Sequence, residues 1–397
     1  MILMTKFKGT CWSCSLAALL LGSAVDVSAV VVLSTGDPEH NTTEPEGELE
    51  GSGWQYLGRW GVFVGTVIGP HHFITARHVG GVIGQSFEYR GENYVTRALY
   101  ESGPTDLRIW EVCDPMPGPY APLYESEDEV GKDLVIFGRG LRRGEEISLD
   151  SPNGPEHRGW RAGEADFRLR WGLNVVSEVF DAADYYDSAE IGELVFMRME
   201  FNRDGGPNEA HVSSGDSGGA MFIDGEDGWA LAGVMSGATI FFNNAEEGDG
   251  YLATLFDGGG FYLRTQIGDP VRRPRESNIG CDNLEARDDV EFEWSFVEDE
   301  PEDVANSFFG LRISHYKDWI RDVMAGMVEP CFAGPWAVYS TSPDGTYRFD
   351  SSQYNDHISR TIRIPTSRAT RFVRLKGCES QSIKTMNLED GFLVITY

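Results

Sequence analysis

Three residues of this 397-residue chain have the types needed to activate a hydroxyl, and they follow one another as His78, Asp106 and Ser217. A serine hydroxyl is a poor nucleophile at neutral pH until a histidine accepts its proton and a buried carboxylate holds that histidine in the right tautomer. Each residue lies in local sequence suited to such a task. His78 closes the apolar runs Gly65-Thr66-Val67-Ile68 and Phe73-Ile74-Thr75-Ala76, which read as strands delivering a side chain to a rim. Asp106 opens Asp-Leu-Arg-Ile-Trp-Glu-Val, whose alternation marks a half-buried strand. Ser217 sits in Gly215-Asp216-Ser217-Gly218-Gly219, where glycines let the backbone turn tightly and aim the amides of Gly215 and Ser217 at one point, an oxyanion hole. The chemistry these residues suit is acyl transfer through a serine.

With these motifs in this order, residues 54–323 resemble the chymotrypsin/trypsin-like serine proteases. The resemblance implies a mainly β fold of two six-stranded antiparallel barrels, with the cleft between them. It makes His78 the general base, Asp106 its orienter, Ser217 the nucleophile, and Gly215 with Ser217 the oxyanion donors. Leu231-Ala232-Gly233-Val234-Met235-Ser236-Gly237 resembles the strand that lines the substrate cleft, so Ser236 and Gly237 border the substrate and Ser236 supports Asp106. Lys132 to Gly140 looks like the strand and glycine turn leading out of the first barrel, and His315 to Ile320 like the terminal helix. Asp216 stands where the family pairs a carboxylate with a newly exposed α-amine. His211, six residues before the nucleophile, stands at the floor of the primary pocket. An aspartate there would select Arg or Lys; a histidine does not, which favours a medium-sized apolar or polar residue, or an acidic one if the imidazole is charged. Two positions depart from the pattern: Arg77 replaces a small residue, and Val79 replaces the cysteine of animal members.

Two other readings compete. Gly215 to Gly219 also fits the nucleophile elbow of an α/β-hydrolase, but that fold needs its acid and histidine after the serine and a helix directly behind it. Only His315 and His357 lie downstream, and Ala220-Met221-Phe222-Ile223 followed by Asp224-Gly225 reads as a strand and turn. A catalytically silent binding module on a protease scaffold is the second alternative, since folds outlive their chemistry.

The elements that must position these residues divide the chain as follows. Residues 1–29 read as an export signal: Lys6 and Lys8, the apolar run Leu16 to Leu21, then Val27-Ser28-Ala29 as the cleavage site. The mature chain is then secreted or periplasmic. Removal of the signal exposes Val30-Val31-Val32-Leu33, an apolar terminus able to insert beside Asp216; the alternative is a disordered acidic leader, since Gly36 to Gly53 reads as poorly foldable. An acidic segment spans 30–53, a first barrel 54–140, a second barrel with its helix 141–326, and a β-rich extension 327–397. The charged stretch between Gly140 and His211 is longer than a minimal protease needs and is expected to border the cleft. Cys113, Cys281, Cys331 and Cys378 allow three pairings, of which Cys331–Cys378 with Cys113–Cys281 is favoured. Asn41-Thr42-Thr43 is a glycosylation sequon.

A formal net charge of −30 argues against nucleic acid or an anionic membrane surface as partner. The acidic clusters at 44–50, 125–129, 288–293 and 298–303 read as solvated surface, and none has the ligand spacing of a calcium loop. The expectation is a polypeptide substrate, no cofactor, no metal and no membrane insertion; oligomeric state is open.

Overall fold

The computed structural model describes residues 30–103, 105–182, 194–267 and 291–333, and within the tail 336–340, 348–349, 354–356, 361–365, 372–378, 383–389 and 392–396. The export signal, Cys11, Cys14 and Cys281 lie outside the described residues.

After a two-residue strand β1 (Val31–Val32), strands β2 (Leu57–Trp60), β3 (Phe63–Val67), β4 (His72–Ala76), β5 (Ser86–Tyr89), β6 (Glu92–Glu101) and β7 (Leu107–Val112) pair antiparallel and close on one another through β6 and β7. The interior of this first barrel is aromatic. Phe73 and Phe87 stack at 3.9 Å between centroids, and Trp60 lies 4.9 Å from Trp110.

The second barrel is a closed ring of six: β8 (Asp133–Gly138), β11 (Arg170–Asp181), β12 (Val195–Glu200), β14 (Ala220–Gly225), β15 (Gly228–Ala238) and β20 (Ser307–Arg312). The fold is therefore mainly β, with two six-stranded antiparallel barrels. The strand 133–138 belongs to this second barrel, so the boundary expected near Gly140 falls earlier, after β7. Its apolar face explains the placement: Leu134 to Phe137 are all fully buried, and only between β11 and β14 can both sides be covered.

The barrels share one core. Ile74, Leu107 and Ile109 from the first meet Val135, Phe137, Phe222 and Leu231 from the second. Helix α1 (Ile313–Met324) joins this cluster through Ile313, Tyr316, Ile320 and Val323, whose spacing of three and four places them on one face. Burying each such side chain stabilises by roughly 1.5–3 kcal/mol. Glu129 anchors the start of the helix: it is 1 % exposed and accepts from Arg312 at 2.9 and 2.7 Å and from the Ser314 hydroxyl. That acidic residue is thus a buried ion-pair member and not part of a solvated surface.

The stretch after Gly140 does not form loops. Strands β9 (Leu141–Ser151) and β10 (Gly154–Ala165) make a long hairpin. It continues through β17 (Tyr251–Leu255), β16 (Phe241–Asn243), β18 (Tyr262–Ile267) and β19 (Glu291–Phe296) into a separate six-stranded sheet. Strand β13 (Ala210–His211) pairs with β1. Asn41 is not a free sequon, because its Nδ2 donates to Trp171 O at 2.9 Å and to Asn208 Oδ1 at 3.1 Å.

The tail is all-β. Strand β21 (Phe332–Ala333) extends the first barrel along β6. Strands β22 (Trp336–Ser340), β23 (Arg348–Phe349) and β26 (Phe372–Lys376) form one sheet. A second sheet holds β24 (Tyr354–Asp356), β25 (Thr361–Pro365), β27 (Thr385–Glu389) and β28 (Phe392–Thr396). The disulfide is Cys113–Cys378, with Cα atoms 5.1 Å apart, in place of the pairings favoured above. Cys331 is disulfide-bonded to a residue outside the described set. The tail folds back on the first barrel, which brings Cys378, not Cys331, beside the end of β7.

Candidate functional site

β4 ends at Ala76 and the chain makes a single 3₁₀ turn, Arg77–Val79, which lifts His78 onto the barrel rim. One carboxylate holds that turn. Asp106 Oδ1 accepts the His78 amide at 2.9 Å, Oδ2 accepts from His78 Nδ1 at 2.7 Å, and the Ser236 hydroxyl donates to Oδ2 at 2.6 Å. Because the carboxylate only accepts, Nδ1 carries the proton and Nε2 keeps its lone pair. Asp106 is 8 % exposed. Burial alone would raise its pKa, but the hydrogen bonds from His78 and Ser236 prevail and hold it below the usual carboxylate range. Ser236 lies at a bulge of β15, between Met235 and Gly237, which turns its hydroxyl toward Asp106; Gly237 is exposed.

Arg77, noted in the sequence only as a departure, is 6 % exposed. It pairs with Glu101 at 3.3 Å, donates to Gly103 O at 3.3 Å, and its amide donates to Asp106 O at 2.5 Å. Glu101 also pairs with Arg108. This clamp fixes the turn that carries Asp106. The neighbouring cation and anion types at 77, 101 and 108 were readable, but nothing in a linear chain says that they meet.

Ser217 stands across the cleft, half-buried, in a turn that strands β14 and β15 support: Gly218 N donates to Met235 O at 2.9 Å and Met235 N to Gly219 O at 2.8 Å. Gly215 and Gly218 have φ of +97° and +76°, and a Cβ on Gly218 would collide with Thr75 Oγ1. Neither the Gly215 nor the Ser217 amide donates to an acceptor among the described residues, so both remain available to an oxyanion. No hydrogen bond joins Ser217 Oγ to His78 Nε2 among the described residues, an interaction that often tightens only when substrate binds.

Asp216 points away from the cleft and is 1 % exposed. It accepts from Gly140 N and Ser213 N, each at 2.7 Å, from Ser213 Oγ at 2.9 Å, and from the backbone N–H of Val30. These donors are neutral, and burial pushes its pKa up to about 6. Val30 to Val32 are buried, and Val31 pairs with His211. Val30 holds φ of +50°, a left-handed conformation that a β-branched residue adopts only under strain.

His211 is fully buried, its ring edge-on to Phe308 at 5.0 Å and Phe201 at 5.7 Å. Its Nδ1 lies 2.6 Å from Val212 O. Burial brings its pKa down to about 4, so the imidazole is neutral at physiological pH and the charged form considered from sequence does not apply.

The residues that follow Ser217 form β14 and not a helix, which removes the elbow alternative. Among the described residues no helix is long and apolar enough to cross a membrane. No family model and no curated protein matches this chain. Among solved structures, a similar chain is neuropsin, a serine protease expressed in the limbic system of mouse brain. It is 14 % identical, with a TM-score of 0.37, and the match covers 69 % of this chain and 95 % of that one.

Proposed function

We propose that this protein is an exported serine endopeptidase that hydrolyses peptide bonds through an acyl-enzyme on Ser217, without cofactor or metal. Ser217 Oγ adds to the scissile carbonyl while His78 Nε2 takes its proton; the carbonyl electrons move to an oxyanion held by the Gly215 and Ser217 amides. His78 then gives the proton to the departing amine, and water repeats the sequence in reverse to release the acid. Asp106 keeps the imidazole oriented and stabilises the imidazolium. The observation that carries this reading is the ionised, buried Asp106 held by His78 and Ser236, opposite a turn with two unoccupied amides.

Processing between Ala29 and Val30 belongs to the same reading. The φ angle of Val30 exists only while residue 29 is attached, so cleavage there removes the strain. It also converts a neutral donor facing Asp216 into an ammonium. Sequencing the amino terminus of the active secreted form checks this; a start well inside 36–53 contradicts it.

For specificity, His211 is fully buried, so it acts from behind the primary pocket, and its neutral ring brings no charge there; this suits a medium-sized apolar or polar residue. Dominant cutting after Arg or Lys in a mixed peptide library would sink that assignment, as would a preference unchanged by His211→Ala. The competing silent module is favoured by the missing Ser217–His78 hydrogen bond. Fluorophosphonate labelling separates the two: the endopeptidase is labelled at Ser217 and Ser217→Ala is not, whereas a folded but unlabelled protein is the silent module.

A further inference from the structure

A small cleft, partly open to solvent, lies beneath the amino-terminal segment, and Arg142, Arg143 and Arg170 line it together with Thr35, Gly36, Asp37 and His40. Three guanidiniums in one cleft stand out in a chain of formal charge −30. Their partners differ. Arg170 is neutralised by Asp166, which it meets at 2.9 and 2.7 Å. Arg143 lies flat on Trp160, 4.2 Å from the ring centroid, and donates to Leu33 O at 2.8 Å. It forms no ion pair among the described residues, and burial lowers its pKa against the weaker opposing pull of Glu146. Arg142 makes no side-chain hydrogen bond or ion pair among the described residues, although it is half-buried. Asp37, the carboxylate in the lining, already accepts the Glu39 amide at 3.0 Å within its own turn. The Gly36 backbone passes against the Arg143 guanidinium, 3.3 Å from where a Cβ would sit to Nε.

We propose that this cleft binds a small oxyanion, a carboxylate, sulfate or phosphate group, between Arg142 and Arg143, and that the bound anion favours the inserted amino-terminal segment. The coupling is covalent and short. Leu141, next to Arg142, donates its amide to Ser214 O at 3.0 Å and accepts from Ser213 Oγ at 2.6 Å. Arg143 grips the chain at Leu33, three residues beyond the Val30 amide that meets Asp216. An anion that immobilises the two guanidiniums therefore stiffens both the inserted segment and the wall of the nucleophile turn. The activation half of this proposal rests on the endopeptidase reading; the binding half does not.

The test uses full-length Ser217→Ala protein, whose thermal midpoint is followed against sulfate, phosphate and acetate, with ionic strength held constant by sodium chloride. The expected result is a saturable rise with at least one of these anions, the three arms separating tetrahedral from planar ligands. Arg142→Ala, which removes no side-chain hydrogen bond or ion pair among the described residues, weakens the apparent affinity about tenfold or more, the loss of one charge-assisted hydrogen bond. A rise that never saturates is general salt exclusion and overturns the site, as does an equal response in Arg142→Ala. In the serine-bearing protein the same anion raises peptidase kcat/KM. Saturable binding with no peptidase activity at all would sink the endopeptidase reading and leave the site standing. Peptidase activity without saturable binding would do the opposite.

Discussion

The two walls of the cleft satisfy their buried polar groups in different ways. On the first-barrel wall, Asp106 receives three hydrogen bonds and is held below the usual carboxylate range, while Glu101 is matched by two cations, Arg77 and Arg108. On the second-barrel side, Asp216 meets only neutral donors and is raised to about 6, and Glu209 is raised by burial to about 7. One wall is complete as folded. The other is short of a cation, at the point where the Val30 nitrogen already lies. On the proposed endopeptidase reading, the difference means that base and orienter come ready-made, whereas the nucleophile side would receive its charge from chain processing.

The largest effect should come from cutting across both walls. Ser217→Ala or His78→Ala should each lower kcat/KM on a peptide substrate by roughly 10⁴-fold or more, with little change in thermal midpoint for Ser217→Ala, whose half-buried hydroxyl makes no hydrogen bond among the described residues. Comparable activity in either variant removes the shared mechanism. Next, Asp216→Asn in the processed protein should cost roughly 10²- to 10³-fold in kcat, because an amide NH₂ faces the Gly140 or Ser213 donor and the oxyanion turn loses its anchor. Steady-state kinetics on amino-terminally verified protein measure it.

The comparison sharpens further with pH. In the unprocessed chain the folded pKa of Asp216 exceeds the unfolded value of 3.8, so folding binds a proton. Stability from this group is then greatest below pH 3.8 and falls as pH rises to about 6, by about 3 kcal/mol. In the processed chain an ammonium partner depresses the pKa and reverses the sign over the acid range. Denaturant unfolding of both forms from pH 4 to 7 gives the difference, from which Glu209 and His211 cancel; identical profiles would mean that Val30 brings no charge to Asp216. Smaller effects belong to the finished wall. Arg77→Met should cost about 2–3 kcal/mol of stability by opening the buried pair with Glu101, read from chemical denaturation. Ser236→Ala, which removes one hydrogen bond to a carboxylate, should lower kcat/KM by about tenfold and move the acid limb of the pH–rate profile upward.

What could be read from sequence follows the range of the forces involved. His78, Asp106 and Ser217 announced themselves because each needs a local device, a strand end or a glycine turn, that leaves its mark within a few residues. The strands of both barrels were legible for the same reason, as β8 and β14 show with their short apolar runs. The Asp106–Ser236 hydrogen bond was anticipated from the motif around Ser236. By contrast, the hairpin of β9 and β10 was expected as loops bordering the cleft, since its charged, glycine-broken strands alternate weakly and β10 is held by a partner about a hundred residues away.

The sequence by itself determined the chemistry on offer: which residue types stand at strand ends and in the glycine turn, and the mainly β character that alternation and apolar runs demand, with the two barrels implied by the resemblance of its motifs. Only the tertiary structure decided where long-range charge and sulfur went. Cys113 met Cys378 because the tail folds back on the first barrel; Glu129 left the acidic surface for Arg312; Arg77 found Glu101; and Val30 came to rest against Asp216. Each of these joins residues whose sequence separation carries no periodicity, and each depends on burial, which raises the cost of an unpaired charge far above its cost in water. That cost exists only once the chain has excluded solvent.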